Sequence, residues 1–520
     1  MKKNISYFDG KEQREREINY IPARYIVSIV VAVLETLAVL AAVGILMYFL
    51  PYFYVAVIAT QIGVAIGIMA SEENPDYRLP WLFIDLLLPV AGFMFYFIFA
   101  HRRLEKRRIR ELEDLGEQLH QKDSGKELAL LKAENADACS QARLICNISR
   151  SSLYRNTRVK YFPLGERYYE SLWADLKAAE KFIFLEYFII EEGIFWDSVL
   201  AVLKEKAQAG VEVRVVYDDI GTMMTLPGDY AKTLKSYGID AAIFSKLKGN
   251  ADSEFNNRSH RKIVVIDGKV GYTGGINMAD EYINRKVKYG HWKDGGVRLE
   301  GEGVQGLTNL FLSDYGSNVK DPRIKERFYP AAEAGEDDGY VLPFGDGPEP
   351  FYARRVGQSA VQCMLAQAED YVWITTPYLI IDNELCSAIE SAALRGVDVK
   401  IITPHIPDKK LIFMMTRSFY PRLMKAGVEI YEYEPGFIHA KNYLADDRVG
   451  MVGTINLDYR SLVHHFEDAV WMYGCGCLKD LKADMTETRE KCIRIQPSML
   501  RQNIFKRIFC AIARVFAPLM

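Results

Sequence analysis

Apolar and polar positions divide the chain into stretches of different rhythm. After a polar N-terminal tail (1–25), residues 26–70 are almost continuously apolar, with Glu35 the single charge. At ~20 residues per membrane crossing, that run is too long for one helix and right for two. The two predicted spans cover 26–50 and 52–70, hinged at Pro51. A polar loop, SEENPDYR (71–78), leads to a further apolar run over 79–100, which predicts a third span. The whole is too long for a signal peptide and has no cleavage pattern. Residues 101–155 are charged and helix-favouring, as in RELEDLGEQLHQK, and predict a linker leaving the membrane.

From about residue 156 the rhythm changes again. Amphipathic ERYYESLWADLKAAEK (166–181) leads into the short apolar run FIFLEYFII (182–190), and WDSVLAVLKEKAQAG (196–210) leads into VEVRVVYDD (211–219). The same order returns in SAVQCMLAQAED (359–370), YVWITTPYLI (371–380), NELCSAIESAALRG (383–396) and VDVKIITP (397–404). Gly210 and Gly396 stop helices just before strands begin. Helix and strand in alternation predict mixed sheets flanked by helices, an α/β class, built twice over 156–340 and 341–495.

Each copy ends in the same frame, H-x-K-x4-D-x6-G-G-x-N. In the first it is His260, Lys262, Asp267, Gly274, Gly275 and Asn277. In the second it is His439, Lys441, Asp446, Gly453, Thr454 and Asn456, with Thr at one glycine position. The two histidines are 179 residues apart. Residues two apart on a strand share a face, so each His points with its Lys. A neutral-pH nucleophile, a cation and an amide on one surface suit a phosphodiester. One imidazole attacks phosphorus and the other protonates the leaving alkoxide. The residues leave open which does which. The lysines supply positive charge, so neither a metal nor another cofactor is expected. A lone H-x-K carries no information; the full frame twice in one chain does.

Carboxylates that orient these imidazoles are expected at Glu467, 11 residues after Asn456, and at Asp294 in HWKD. Asp267 and Asp446 are candidate catalytic acids, but they follow strands at turns, where Asp is favoured for structural reasons.

The frame resembles the duplicated motif of the phospholipase D superfamily. YFPLGERYYESL, RVVYDDIG, HWKDGGVRLEG, RGVDVKIITP, PGFIHAKNYL and NLDYRSLVHHFED resemble blocks of bacterial cardiolipin synthases, as does NPDYRLPWLFIDLLLPVAGFMFYFIF with its Pro89, Gly92 and Tyr96. The likeness covers about residues 55–520. It implies two pseudo-repeated phospholipase D-type domains behind transmembrane helices. It also implies transfer of a phosphatidyl group from one phosphatidylglycerol to another, giving cardiolipin and glycerol. His260 would be the nucleophile, forming phosphohistidine, and His439 the acid and base. Lys262, Lys441, Asn277 and Asn456 would hold the phosphate, and Asp267 and Asp446 would be mainly structural. A hydrolase, a transphosphatidylase using another alcohol, and a silent membrane scaffold are the alternatives. In HHFED, His464 and His465 stand where the family more often has an amide; they read as a neutral substitution, with headgroup contact as the alternative.

Composition narrows the partners. Net charge is −3, without the basic field of a nucleic-acid binder, so membrane phospholipids are the expected partners. Eight scattered cysteines form no zinc pattern and fit a reducing compartment. Arg102, Arg103, Lys106, Arg107, Arg108 and Arg110 follow the last apolar run and place the catalytic part on the cytoplasmic side of a multi-pass cell-membrane protein. Six Lys or Arg also lie in the first 24 residues, and three spans cannot put both ends inside. The denser cluster is expected to win, leaving the N-terminus outside; two spans, with 26–70 partly re-entrant, are the alternative. Residues 496–520 predict an amphipathic interfacial helix, with Leu500, Ile504, Ile508 and Ile512 spaced by four beside Arg501, Lys506, Arg507 and Arg514.

Overall fold

The strand Lys262–Ile266 (KIVVI) lacks polar alternation because both of its faces are covered. In the computed structural model of the chain, Ile263 and Val265 join one core and Val264 and Ile266 another. The structure describes residues 2–9, 12–19, 23–49, 51–71, 73–88, 90–99, 106–246, 256–319, 324–331, 339–349, 351–352, 354–501 and 503–519.

Two mixed sheets carry the chain from residue 157 onward. The first has seven strands in the spatial order Thr157–Phe162, Gly296–Gly301, Val270–Gly274, Lys262–Ile266, Phe182–Tyr187, Glu212–Asp218, Asp240–Phe244. The second has eight, in the order Tyr340–Asp346, Glu467–Tyr473, Val449–Gly453, Asn442–Ala445, Tyr371–Thr375, Asp398–Pro404, Glu429–Tyr433, Cys492–Arg494. In each, the strand after the His-x-Lys frame pairs antiparallel with a central strand, which pairs parallel with the next. Helices flank both sheets. Phe182, Phe184, Ile263 and Val265 of the first sheet share one core with Val341, Leu342, Phe344 and Val470 of the second. Helix Val304–Gly316 packs against strands of both, with Phe311 stacked on Phe184 at 4.6 Å between ring centroids. The sheets therefore meet through a buried apolar layer.

The N-terminal region differs from expectation in two places. Inside the predicted tail, strand Lys2–Asp9 pairs antiparallel with strand Glu12–Asn19. Helices Ala23–Phe49 and Pro51–Ala70 follow, with Pro51 opening the second, where proline fits a helix start. Among the described residues one helix, Tyr52–Ala70, is long and apolar enough to cross a membrane; Val33–Leu46 is a shorter apolar helical stretch. Among the described residues of the predicted third span, the helix is interrupted. Helix Pro75–Leu87 stops at Leu88, which leaves the helical region (φ −122°, ψ 81°), as expected of a residue before proline, and Val90 is left-handed (φ 68°) before helix Ala91–Phe99 begins. Pro89, Arg102 and Arg103 lie outside the described residues. A single helix would put Trp81 and Tyr96 ~22 Å apart; their rings are 5.8 Å apart. The segment therefore folds back as a hairpin. Gly92 permits this closeness, because a Cβ there would lie 2.5 Å from the Asp85 backbone.

The hairpin is tied to the second sheet's half. Asn74 donates to Asp382 at 3.2 Å, Asp76 accepts from the Asn383 amide at 2.8 Å, and Tyr77 packs edge-on against Tyr459. At the other end of the chain, Leu500 belongs to a short 3₁₀ turn, Pro497–Leu500, and only Ile504–Phe516 is α-helical. That helix docks through small residues, Cys510 and Ala513, and leaves Ile504, Phe505, Ile508, Phe509 and Ile512 half or more exposed. Phe516 touches Phe83 of the hairpin.

Candidate active site

Alternation along a strand sets out the first site. His260 and Lys262 share a phase, so Arg261 must point the other way. It does: Arg261 is buried between the halves, paired with Asp314 at 2.9 Å and donating to the Glu467 carbonyl at 3.0 Å and the Tyr352 hydroxyl at 2.7 Å.

Each histidine is held by backbone from the opposite half. His260 N–H donates to the Phe466 carbonyl at 2.8 Å, and Phe466 N–H donates to the Arg258 carbonyl at 2.8 Å. The next residue, Glu467, accepts from His260 Nδ1 at 2.9 Å. In the mirror arrangement, Gly436–Ile438 pairs parallel with His291–Lys293, and His439 N–H donates to the Lys293 carbonyl at 2.7 Å. The next residue, Asp294, accepts from His439 Nδ1 at 2.7 Å. Both carboxylates are fully buried. With Nδ1 so engaged, the free nitrogen of each ring is Nε2. The structure thus brings Asp294 and Glu467 onto the histidines expected to need them.

The one departure in the repeated frame has a physical reason. A Cβ on Gly275 would sit 2.1 Å from Asp294 Oδ1, so glycine leaves room for that carboxylate. Thr454, at the equivalent position, donates its hydroxyl to Glu467, and Ser461 Oγ donates to the same carboxylate at 2.7 Å. Lys262 donates to the His260 carbonyl and Lys441 to the His439 carbonyl. Lys441 Nζ also lies 2.9 Å from His439 Nδ1, a close approach and not a second hydrogen bond, because the Nδ1 proton goes to the Asp294 anion.

The remaining expected residues divide. Asp267 accepts from the amides of Glu180, Lys181 and Phe182 at 2.7–2.8 Å, and Asp446 accepts from Glu369, Asp370 and Tyr371 at 2.8–2.9 Å. Both carboxylates pin the entry to a central strand, bonding that suits a structural role. Asn277 accepts from the Ile189 amide at 3.0 Å and donates to Tyr282 at 2.7 Å, which leaves one amide hydrogen for a phosphate. Asn456 Oδ1 is buried without a hydrogen-bond partner among the described residues.

Sequence reasoning missed two features and read a third, His465, as a neutral substitution. Arg261 and Asp314 brace the interface, a role that the strand phase alone would have suggested. Ser461 holds Glu467 from a turn without a recognisable spacing. His465 stands 5.5 Å from His260 between ring centroids, with Phe188 5.2 Å from His260. His260, His465 and Glu467 place ligand-type atoms within 4.8 Å of one another. Glu467 already accepts from His260, Thr454 and Ser461, so this trio fits a hydrogen-bond network better than a metal cage.

Burial dominates the electrostatics. It pushes His260 down to about 3, with Lys262 adding to the effect against Glu467. It pushes His439 down to about 4, with Lys441 adding. Burial would raise both carboxylates, but His260 holds Glu467 well below its usual range, and His439 and Lys441 lower Asp294. The resting pairs are therefore neutral imidazole beside carboxylate. Burial also lowers Lys262 to about 8 and Lys441 to about 7, the latter helped by the positive charge of Lys262. Lys262 acts on His439 and Lys441 across the halves, so the two frames form one electrostatic site.

Comparisons with known proteins agree with this geometry. The family model described as the phospholipase D-like domain of cardiolipin synthase matches residues 172–289 and 361–489. A protein named cardiolipin synthase from Alkalihalophilus pseudofirmus is 32% identical over 475 residues, covering 89% of this chain and 93% of its own. The chain belongs to the cardiolipin synthase family. An uncharacterised protein of Streptococcus mutans is 42% identical, covering 88% of this chain and all of its own. Among solved structures, phosphatidylserine synthase of Haemophilus influenzae shares the fold at 14% identity, with a TM-score of 0.55 over 72% of this chain and 97% of its own.

Asp446→Ala leaves three backbone N–H groups without their acceptor. It is expected to cost about 1–3 kcal/mol of stability, read as a lowered Tm, while activity survives at low temperature. Unchanged Tm with lost activity would return Asp446 to the chemistry.

Proposed function

We propose that the protein is a membrane-bound cardiolipin synthase that transfers a phosphatidyl group between two phosphatidylglycerol molecules through phosphohistidine. The crossed pairing of His260 with Glu467 and of His439 with Asp294 carries this reading. It gives one site two imidazoles, each with Nε2 free and each with its own carboxylate, as a double displacement requires.

The steps balance. His260 Nε2 forms a bond to phosphorus as the bond from phosphorus to the departing glycerol oxygen breaks, and His439 gives that oxygen its proton. A hydroxyl of a second phosphatidylglycerol then attacks phosphorus and loses its proton to His439, and the P–N bond breaks. The arriving phosphodiester anion favours imidazolium, which supplies the protonated histidine that the leaving group needs. Lys262, Lys441, Asn277 and Asn456 would hold the non-bridging oxygens and stabilise the charge that develops in the transition state.

The two sheets, with matching strand orders, support the reading as two copies of one unit over 156–340 and 341–495. The membrane part reads as two crossings over 26–50 and 52–70, followed by a hairpin at the interface. The break at residues 88–90 supports two crossings and not three. Two crossings put both basic termini on the cytoplasmic side, which removes the conflict that had placed the N-terminus outside. The hairpin and the C-terminal helix expose apolar side chains next to each other, and His464 Nε2 meets the Pro518 carbonyl at 3.4 Å beside the catalytic turn. This supports a site that opens toward the bilayer.

Purified protein incubated with phosphatidylglycerol alone, in excess chelator, is expected to yield cardiolipin and glycerol by mass spectrometry. His260→Ala and His439→Ala should each lose product at least 10³-fold while remaining folded. Phosphatidic acid as the sole product would make the protein a hydrolase, and full activity in either variant would remove the mechanism. In the same assay kcat/KM should fall as pH rises through about 7 to 8, as Lys441 and Lys262 lose their protons. A flat profile to pH 9 would mean that the lysines do not act as cations.

A further inference from the structure

A groove lined by cations lies apart from the residues of the catalytic site. Between helix Lys410–Lys425, the turn Pro497–Leu500 and helix Ile504–Phe516 runs an open groove of about 1280 Å³. Its wall is unusually rich in cations. Several are already neutralised: Arg417 pairs with Glu432 at 3.0 Å, Arg422 with Glu390 at 2.7 Å, and Arg494 with Glu429. Arg514 lies over the Phe419 ring. Three others, Lys425, Arg501 and Arg507, are exposed and have no carboxylate partner among the described residues. Ile504 and Ile508, 58% and 51% exposed, line the same groove.

Free cations alone would describe a solvated face. Here they line a concave groove together with exposed aliphatic side chains, on the helix whose outer face is left apolar. A soluble anion uses the first feature and not the second. A hydrophobic peptide uses the second and leaves three like charges unneutralised. A molecule with a phosphate at one end and acyl chains at the other uses both. We propose that this groove binds one anionic phospholipid, its headgroup phosphate among Lys425, Arg501 and Arg507 and an acyl chain against Ile504 and Ile508. Guanidinium groups suit the role, because they grip phosphate oxygens in pairs and shed water more readily than ammonium. The lipid would seat the C-terminal helix on the bilayer at a fixed depth, without contact with the catalytic histidines. The inference does not depend on the reaction proposed above.

The test is native mass spectrometry of the full-length protein released from detergent, titrated with phosphatidylserine. The His439→Gln background removes turnover. One retained lipid is expected in the parent protein, with its apparent Kd weakened at least tenfold by combined Lys425→Gln, Arg501→Gln and Arg507→Gln. All three side chains are exposed, so circular dichroism should show an unchanged fold. Any lipid held in the catalytic cleft would be indifferent to these substitutions. Equal retention in parent and triple variant would overturn the proposal. So would equal retention of zwitterionic phosphatidylcholine, which would reduce the groove to apolar contact. Displacement of the lipid by millimolar inorganic phosphate would assign the cations to a free anion instead.

Discussion

The site depends on one constraint: each histidine takes its carboxylate from the other half of the chain. Glu467 follows Phe466, whose backbone pairs with the segment carrying His260, and Asp294 follows Lys293, whose backbone pairs with the segment carrying His439. Neither half alone can orient its own imidazole. The apolar layer between the sheets, and Arg261 with Asp314 within it, therefore supports catalysis as well as folding. Burying an arginine is costly unless it is fully paired. Arg261 meets that condition with a carboxylate, a carbonyl and a hydroxyl, and the carbonyl it grips belongs to Glu467.

A second consequence concerns the membrane. The turn after Asn456 lies between the catalytic residues and two elements that expose apolar side chains. Tyr459 packs on Tyr77 of the N-terminal hairpin, and His464 reaches the carbonyl of Pro518 beyond the C-terminal helix. Ser461, in the same turn, holds Glu467. The segment that orients the His260 carboxylate thus rests on the surfaces that would sit against lipid, and those surfaces come from opposite ends of the chain.

Much of this was legible in the residues. Two apart on a strand means one face, so the pairing of His260 with Lys262 and of His439 with Lys441 followed from spacing alone. Asp294 and Glu467 could be named as orienting groups, but their crossing between halves could not, because it rests on backbone pairing at a long sequence separation. Arg261 was overlooked although the same alternation sends it inward. Asn277 was expected to face phosphate, and the structure shows half of its donor capacity spent on Tyr282, a contact without a motif. The apolar run 79–100 read as a span because hydropathy counts residues and not direction. Leu88, left-handed Val90 and Gly92 take part in reversing the chain there; Pro89 and Gly92 were visible in the sequence, but a left-handed valine is not predicted by its residue type. Leu500 fell on the spacing-four stripe but lies in the turn before the helix, since a stripe does not mark where the helix begins.

The most direct measurement is rapid acid-free quench of the Asp294→Asn protein mixed with phosphatidylglycerol, followed by peptide mapping for phosphatidyl-histidine. Because His439 is both the acid that releases glycerol and the base for the acceptor, loss of the Asp294 carboxylate should slow formation and breakdown of the adduct alike, so that it is sampled over a long time course. The account predicts that adduct on His260. An adduct on His439, or none while cardiolipin still forms, would contradict it.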